Sequence, residues 1–311
     1  MATKIVFFGN ERIATDVNTT TPVIKTLVKA GFDLQAVVVN NEKSLSRKQR
    51  ELEIETFADN QCIPILKPRK LSDIAEQLSE FNADIAVLVA YGMIIPQSII
   101  DLFPYGIINI HPSLLPLHRG STPIESVILN GVEKTGVSIM SLQKEMDAGP
   151  VYKQTEIVLK GNETKQELAD KLLQIGSKQL ADLIPSIVNR DTMPVEQNHE
   201  LATYDNQIIK DDGVIDWSKP AAEIEREIRT YAGWPQSRTT LGDVEVVITQ
   251  AHALPGNVDH HELGQIEHEK APLVIKCGEK SSLCIEKIKP AGKQEMDAAG
   301  FLNGYKSRLN L

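Results

Sequence analysis

Short apolar runs alternate with longer amphipathic stretches through the first half of the chain, and this alternation constrains the fold most strongly. Strands are predicted at 4–9, 34–40, 63–66, 85–91, 106–111 and 136–142. Their β-branched residues are typical of buried strands, and most of the intervening segments are long enough for a helical crossover. The pattern predicts an α/β fold built on a doubly wound, mostly parallel sheet.

Two helices have clear sequence boundaries. Thr21 stands before Pro22 as an N-cap candidate, and Gly31 marks the end of the first helix. A long helix is predicted over roughly 162–188 because apolar residues recur there at helical spacing. Those residues are Leu168, Leu172, Ile175 and Leu180.

The pattern changes after Arg190. Residues 191–207 are polar and aperiodic, which predicts an interdomain linker between an α/β domain over 1–190 and a second domain over 208–311. In the second domain the sequence predicts one helix followed by successive short strands. This pattern is typical of a small antiparallel β-barrel of OB-like type.

Composition limits the functional classes. A 311-residue chain that is 41% hydrophobic and 24% charged fits a soluble two-domain protein, and its net charge of −9 argues against a uniformly basic surface for nucleic acid. Neither a signal peptide nor an apolar run of membrane-spanning length is present, so we expect a cytoplasmic protein with no membrane partner. Cys62, Cys277 and Cys284 are odd in number and are expected to be reduced thiols.

Several well-known site motifs are missing from the sequence. The first strand is not followed by G-x-G-x-x-G, and the chain has neither a P-loop nor a G-x-S-x-G elbow. His260, His261 and His268 lie in a polar segment without an HExxH motif or neighbouring cysteines, so no metal is expected.

The stretch "INIHPSLLPLHRGSTP" carries the strongest chemical signal. Asn109 and His111 are two residues apart in a predicted strand, so their side chains lie on one face. An amide can donate to a developing oxyanion and an imidazole can relay a proton near neutral pH. The alternative is that a histidine before a proline-rich loop simply hydrogen-bonds to the backbone.

Asp147 is a candidate third member of this site. It lies in the "MDAGPVY" turn after the strand at 136–142, and the adjacent ends of two parallel strands would bring its carboxylate beside His111. The alternative is a turn-forming role, since Asp-x-Gly is common in turns.

These segments together resemble the folate-dependent formyltransferases. The similarity rests on "NIHPSLLPLHRGSTPIESVILNG", "KTGVSIM" and "MDAGPVY", and it extends to "AYGMIIP", "DGVIDWSKPAAEIEREIRTYAGWP" and "IKPAGKQEMDAAGFLNGY". It covers nearly the whole chain. The resemblance implies a formyl-transferring catalytic domain over 1–190 and a tRNA-binding domain over 208–311.

The resemblance also implies roles for particular residues. The catalytic triad is Asn109, His111 and Asp147. The folate-binding residues are Ser113, Leu114, Leu115 and Pro116, with Ala90, Tyr91, Gly92, Met93 and Ile94 lining the pterin pocket. The implied donor is 10-formyltetrahydrofolate, the implied acceptor is the α-amino group of methionine on initiator tRNA, and a monomer without metal is expected.

Two groups of basic residues are candidates for tRNA contacts. Within 40–55, where this family has a basic loop, they are Lys43, Arg47, Lys48 and Arg50; the second group is Lys287, Lys289 and Lys293. The first group lacks the family's Gly and Pro residues, and a solvated helix face paired with neighbouring glutamates is the alternative.

Three rival functions remain at this point. Formyltransferases that act on a ribonucleotide amine share the first half of the chain, and those that act on sugar amines use the same triad with a different pocket. A folate- or RNA-binding protein without activity is the third, although the intact triad argues against it.

Overall fold

The computed structural model describes residues 2–40, 52–254, 262–267 and 272–309. The chain forms two compact units. Unit 1 comprises Met1–Ile124, Glu133–Lys160 and Gln166–Asn206, and unit 2 comprises Glu125–Val132, Gly161–Lys165 and Gln207–Leu311. Each unit has its own sheet and core.

Unit 1 is built on a seven-stranded sheet. Its strands are β1 (Lys4–Gly9), β2 (Asp33–Val38), β3 (Ile65–Leu66), β4 (Ile85–Val89), β5 (Ile107–His111), β7 (Lys134–Ser141) and β8 (Val151–Val158), in the order β3-β2-β1-β4-β5-β7-β8. The first five pair in parallel, whereas β7 is antiparallel to β5 and β8 to β7. The predicted mostly parallel α/β fold is confirmed, with an antiparallel edge.

Helices connect these strands. They are α1 (Pro22–Lys29), α2 (Glu53–Asn60), α3 (Ala75–Glu80), α4 (Gln97–Ile100), α5 (Pro123–Leu129) and α6 (Lys165–Val188). The long predicted helix is α6, on which Leu168, Leu172 and Leu180 are buried. A Cβ at Gly176 would lie 2.7 Å from a methyl of Ile110, so α6 passes directly over β5. The strand that carries Asn109 and His111 is therefore held by close packing.

The start of α1 differs from the prediction. Thr21 has a left-handed backbone with φ 50° and makes no side-chain cap. Its hydroxyl donates instead to the carbonyl of Thr20. The cap comes from Glu11, whose carboxylate oxygens accept the backbone N–H groups of Val23 and Ile24, each at 2.8 Å. Thr21 therefore occupies the predicted N-cap position before Pro22, but a distant carboxylate instead of its own side chain satisfies the free N–H groups of the first turn.

Unit 2 is an antiparallel structure with two further helices. Its elements are α7 (Ala221–Thr230), β10 (Ser237–Leu241), β11 (Val244–Leu254), β12 (Leu273–Cys277), β13 (Ser281–Pro290), β14 (Met296–Asp297) and α8 (Ala298–Tyr305). The strands pair in the order β10-β11-β13-β12, and β14 pairs with β13. Ile224, Ile228 and Phe301 bring both helices into the core of this sheet. The predicted antiparallel C-terminal fold is confirmed.

Residues 191–206, predicted to be part of a linker, make specific contacts within unit 1. Val195 pairs with Val151, and β9 (Tyr204–Asp205) pairs in parallel with β6 (Arg119–Gly120). His118 and Arg119 also bond to side chains of this segment. It therefore supports the loop that follows β5.

Candidate functional site

A cavity of about 1620 Å³ opens in unit 1 at the carboxyl ends of the parallel strands. Its walls come from residues that follow β1, β4 and β5 and from the loop after β7. This edge is where open parallel sheets usually bind ligands. All three predicted catalytic residues, Asn109, His111 and Asp147, line it.

Asn109 and His111 lie on one face of β5, as the two-residue spacing indicates. Their residues are 6% and 4% exposed, so both polar groups act in a largely dry environment. Within the part of the chain that the structure describes, no hydrogen bond occupies the Asn109 amide. The amide is therefore available to a group bound in the cavity.

The protonation pattern of His111 follows from its neighbours. Its Nε2 lies 2.9 Å from the carbonyl oxygen of His118. A carbonyl oxygen only accepts hydrogen bonds, so Nε2 carries the proton. Nδ1 is then the nitrogen that can take up a proton, and it lies 3.7 Å from Oδ1 of Asp147.

The structure places Asp147 beside His111 as predicted, but for a different geometric reason. The prediction assumed parallel neighbouring strands, whereas β7 runs antiparallel to β5, with His111 opposite Ser138. β7 therefore ends beside the start of β5, away from His111, and the loop 142–149 brings the chain back to His111. Oδ2 of Asp147 accepts the backbone N–H of Gly120 at 2.8 Å, which orients the carboxylate.

The Asp-Ala-Gly sequence has a backbone explanation. Asp147 has a left-handed backbone, with φ 49°, a region that Asp tolerates better than most residues. A Cβ at Gly149 would lie 1.9 Å from the carbonyl oxygen of Ser141, so only glycine fits. Turn formation and catalysis are therefore not exclusive, since the turn is what aims the Asp147 carboxylate.

Four residues near the triad were missed by the sequence reasoning. Gln197 donates from Nε2 to the carbonyls of Asp147 and Gly149, at 2.8 and 2.6 Å, and accepts from Arg119 at 2.7 Å. Asp205 pairs with Nδ1 of His118 at 3.1 Å, and the carbonyl of His118 holds His111. Apart from the contact between His118 and His111, which spans 7 positions, these contacts span 48 to 87 positions, so no local pattern signals them.

The predicted pterin-pocket residues all line the cavity. They are Ala90, Tyr91, Gly92, Met93 and Ile94. Ala90 and Gly92 have positive φ values of 52° and 76°, which turn the backbone sharply after β4. Tyr91 is buried, burial raises the pKa of its phenol to about 12, and its hydroxyl has no hydrogen-bond partner among the described residues.

The segment Ser113, Leu114, Leu115 and Pro116 does not line this cavity within the described residues. Its polar groups are used internally. Ser113 donates to the carbonyl of Leu117 at 2.7 Å, and Gln154 and Ser138 bond to the backbone of Leu115 at 2.7 and 3.1 Å. The segment forms a tight turn that leads to His118, the residue whose carbonyl accepts from His111.

The long loop after β1 forms another wall. Asn10, Arg12 and residues 13–16 line the cavity, whereas the Glu11 side chain is fully buried at the start of α1. Burial raises the pKa of Glu11 from 4.5 to about 7, although its hydrogen bonds from Ile24 and Val23 act in the opposite direction. One buried carboxylate therefore anchors a loop that borders the site.

We expect Glu11 to make stability fall as pH rises. Its raised folded-state pKa means that the folded protein binds the proton more tightly between pH 4.5 and about 7. That stabilisation is complete below the lower value and is lost as pH rises through the upper one, a change of about 3 kcal/mol. Glu11→Gln should remove this pH dependence. Urea unfolding at several pH values in this range should therefore show the free energy of unfolding of the variant rising relative to that of the wild type as pH rises. Parallel pH curves would contradict it.

The predicted tRNA-contact residues fall into two groups. Lys43, Arg47, Lys48 and Arg50 lie outside the described residues, as do His260, His261 and His268. Lys287 and Lys289 are exposed two residues apart on β13, and Lys293 follows in the next turn. Lys287 faces Glu295 at 3.7 Å, so this basic stripe has an acidic neighbour.

The described residues show no metal cluster and no membrane-spanning helix. Among them, no group of three or more His, Cys, Asp or Glu side chains is arranged to hold a metal ion. No helix in the described ranges has the length and apolar character needed to cross a bilayer.

Comparison with known families agrees with this fold. The Formyl transferase family matches residues 4–184, and its C-terminal domain family matches 207–306. The chain therefore belongs to the formyl transferases. Proteins named methionyl-tRNA formyltransferase are similar to it through both units, so within this class it is a member of the methionyl-tRNA formyltransferase family.

Individual relatives show this membership. The methionyl-tRNA formyltransferase of Geobacillus sp. (strain WCH70) is 35% identical over 99% of this chain and 96% of its own length. That of Geobacillus thermodenitrificans (strain NG80-2) is 35% identical with the same coverage of both chains. The predicted family is confirmed.

A solved structure supports the fold. The N-formyltransferase from Helicobacter canadensis, in complex with folinic acid and dTDP-3-aminofucose, matches with a TM-score of 0.67. It is 19% identical and the match covers 92% of this chain and 99% of that one. At this identity the likeness concerns the fold alone.

Proposed function

We propose that this protein transfers the formyl group of 10-formyltetrahydrofolate to the α-amino group of methionine on initiator tRNA. The observation that carries the proposal is the meeting of Asn109, His111 and Asp147 at one cavity in a chain related over its full length to methionyl-tRNA formyltransferases. Such a product primes translation initiation. We further propose a cytoplasmic monomer without a metal cofactor.

The cavity suits a folate donor. Its volume of about 1620 Å³ exceeds that of an ordinary small-molecule site and leaves room for an acceptor beside the donor. A polar heterocycle can meet the turned backbone of 90–94. The donor supplies an activated formyl carbon, and Ala90–Ile94 would hold its ring. Ser113–Pro116 would then act indirectly, through the turn that positions His118.

Asn109 and His111 would stabilise the charge that develops during transfer. When the α-amino group attacks the formyl carbon, negative charge builds on the formyl oxygen. The tetrahedral intermediate then collapses by breaking the bond between the formyl carbon and N10, and N10 of the departing tetrahydrofolate takes up the proton that the amine loses. A preorganised amide donor in a buried site stabilises that charge more strongly than water does, because it needs no reorientation. The Asn109 amide on β5, which has no hydrogen-bond partner among the described residues, is suited to this role.

His111 and Asp147 would manage the proton that the amine loses. Nδ1 of His111 is the free basic nitrogen, since Nε2 is committed to the His118 carbonyl. A proton on Nδ1 gives an imidazolium next to the Asp147 carboxylate, 3.7 Å away, which stabilises the positive charge. An α-amino group has a pKa of about 7.7–8.0, so a mild base suffices and no covalent enzyme intermediate is needed.

Acceptor choice tests this proposal. The purified protein and a formyl-labelled donor would be incubated separately with methionyl-tRNA, with a ribonucleotide amine and with the sugar nucleotide dTDP-3-aminofucose. Label should enter methionyl-tRNA and be recovered as formylmethionine after deacylation. Transfer to the sugar nucleotide but not to methionyl-tRNA would refute the assignment.

The basic stripe formed by Lys287 and Lys289 on β13 and by Lys293 after it is proposed to contact tRNA phosphates. Reversing Lys289 and Lys293 together, as Lys289→Glu with Lys293→Glu, should weaken tRNA binding at least about tenfold and lower the salt slope by about 2, since each phosphate contact adds roughly one to that slope. Fluorescence titrations at several salt concentrations measure both.

A matched control has the same change in net charge. Lys210→Glu with Lys280→Glu reverses two exposed lysines elsewhere in unit 2. This control should shift affinity less and leave the slope nearly unchanged. Equal effects from both pairs would mean that net charge matters and the stripe does not.

A further inference from the structure

We propose that Gln197 is a positioning residue for formyl transfer, acting through the backbone of Asp147. It lies outside the triad, in the segment between α6 and unit 2, and its residue is 8% exposed. The inference rests on the proposed function and adds a specific residue to its site.

The hydrogen bonds of Gln197 determine which way its amide faces. Nε and Nη2 of Arg119 both donate to its Oε1, at 3.3 and 2.7 Å. At the other end Nε2 donates to the carbonyl oxygens of Asp147 and Gly149, at 2.8 and 2.6 Å. A flipped amide would point N–H groups at a guanidinium and an oxygen at two carbonyls, so only the observed orientation satisfies every partner.

Arg119 makes this anchor rigid. The residue is 2% exposed, and no carboxylate pairs with it among the described residues. Its guanidinium donates to three neutral acceptors, namely Gln197, the hydroxyl of Tyr204 at 2.8 Å and Nδ1 of His199 at 3.0 Å. Because the buried Arg119 charge needs these acceptors, it holds the Gln197 oxygen in place. The amide nitrogen of Gln197 is fixed with it and holds the loop through its two hydrogen bonds.

The loop needs such an anchor. Asp147 has a left-handed backbone, and its carboxylate reaches His111 across 3.7 Å with an orienting bond from Gly120. The two carbonyls held by Gln197 flank Ala148 on the chain, so its amide fixes the turn that aims the carboxylate. Small displacements of a reacting group cost large factors in rate.

Steady-state kinetics test this role. Gln197→Ala should lower kcat roughly 10- to 100-fold while the KM values for donor and methionyl-tRNA stay within about twofold. Gln197→Glu keeps an acceptor for Arg119 but cannot donate to the two carbonyls, so it should fold and show the same loss of kcat. Gln179→Ala, which removes a comparably buried amide of 9% exposure on α6, should leave kcat unchanged.

A double-mutant cycle separates positioning from general structural damage. In an Asp147→Asn background, Gln197→Ala should change kcat by less than about twofold, because the group it positions is already impaired. The full loss persisting in that background, or wild-type kcat in both Gln197 variants, would overturn the inference. Wild-type protein that fails to formylate methionyl-tRNA would refute the proposed function instead.

Discussion

Replacing Asn109 with alanine is expected to lower kcat for formyl transfer by about 10²- to 10³-fold, the usual cost of losing one oxyanion donor. The amide lies on β5 at the cavity and has no hydrogen-bond partner among the described residues. Removing the amide therefore breaks no hydrogen bond within the described part of the chain. The loss should fall on the transition state, with little change in KM.

Single-turnover formation of formylmethionyl-tRNA by the Asn109 variant measures this effect. Donor binding, followed by fluorescence titration, should stay within a few-fold of the wild type, and the thermal midpoint should change little. A rate within about threefold of the wild type would remove Asn109 from oxyanion stabilisation.

Replacing His111 with alanine is expected to cost about 10²- to 10⁴-fold in kcat, because the variant loses the group that takes the proton. Because Nε2 donates to the His118 carbonyl, we propose Nδ1 as the basic nitrogen, and an imidazolium formed there would lie beside Asp147. Asp147→Asn should also lower kcat, since it leaves that imidazolium without its counter-charge.

The combination of these changes is informative. His111→Ala with Asp147→Asn should be little slower than His111→Ala alone, because the two residues act as one unit. Multiplying losses would show that they act independently. An active His111→Ala variant would place the base elsewhere in the cavity.

Much of unit 1 could be predicted because its signals are local. β1, β4 and β5 are buried along nearly their whole length, so each stands out as an apolar run. The spacing of Asn109 and His111 gives their shared face directly. The long helix α6 follows from periodic apolar residues, and the turn at Asp147 and Gly149 follows from residue type.

The antiparallel direction of β7 could not be predicted from such local patterns. β8, "VYKQTEIV", lies at the sheet edge with only half-buried and exposed residues, and it was not predicted as a strand. Without it, β7 looks like one more parallel strand. The predicted contact between Asp147 and His111 was correct, although the connection that produces it is antiparallel.

Capping and positioning contacts lie beyond sequence patterns for a different reason. Glu11 caps a helix that starts 11 residues later, and Gln197 reaches a turn 50 residues away. Neither residue type nor spacing singles them out. Both depend on how the loops fold back on the sheet, so a three-dimensional structure was needed to find them.

We infer that the Asn109, His111 and Asp147 site formylates methionyl-tRNA. Rapid-quench single-turnover assays with 10-formyltetrahydrofolate and methionyl-tRNA test it most directly, with wild-type protein beside a variant in which all three residues are alanine. Wild type should convert the tRNA to formylmethionyl-tRNA, while the folded triple variant should make none on that timescale. No product from the wild type, or product from the triple variant at the wild-type rate, would contradict the claim.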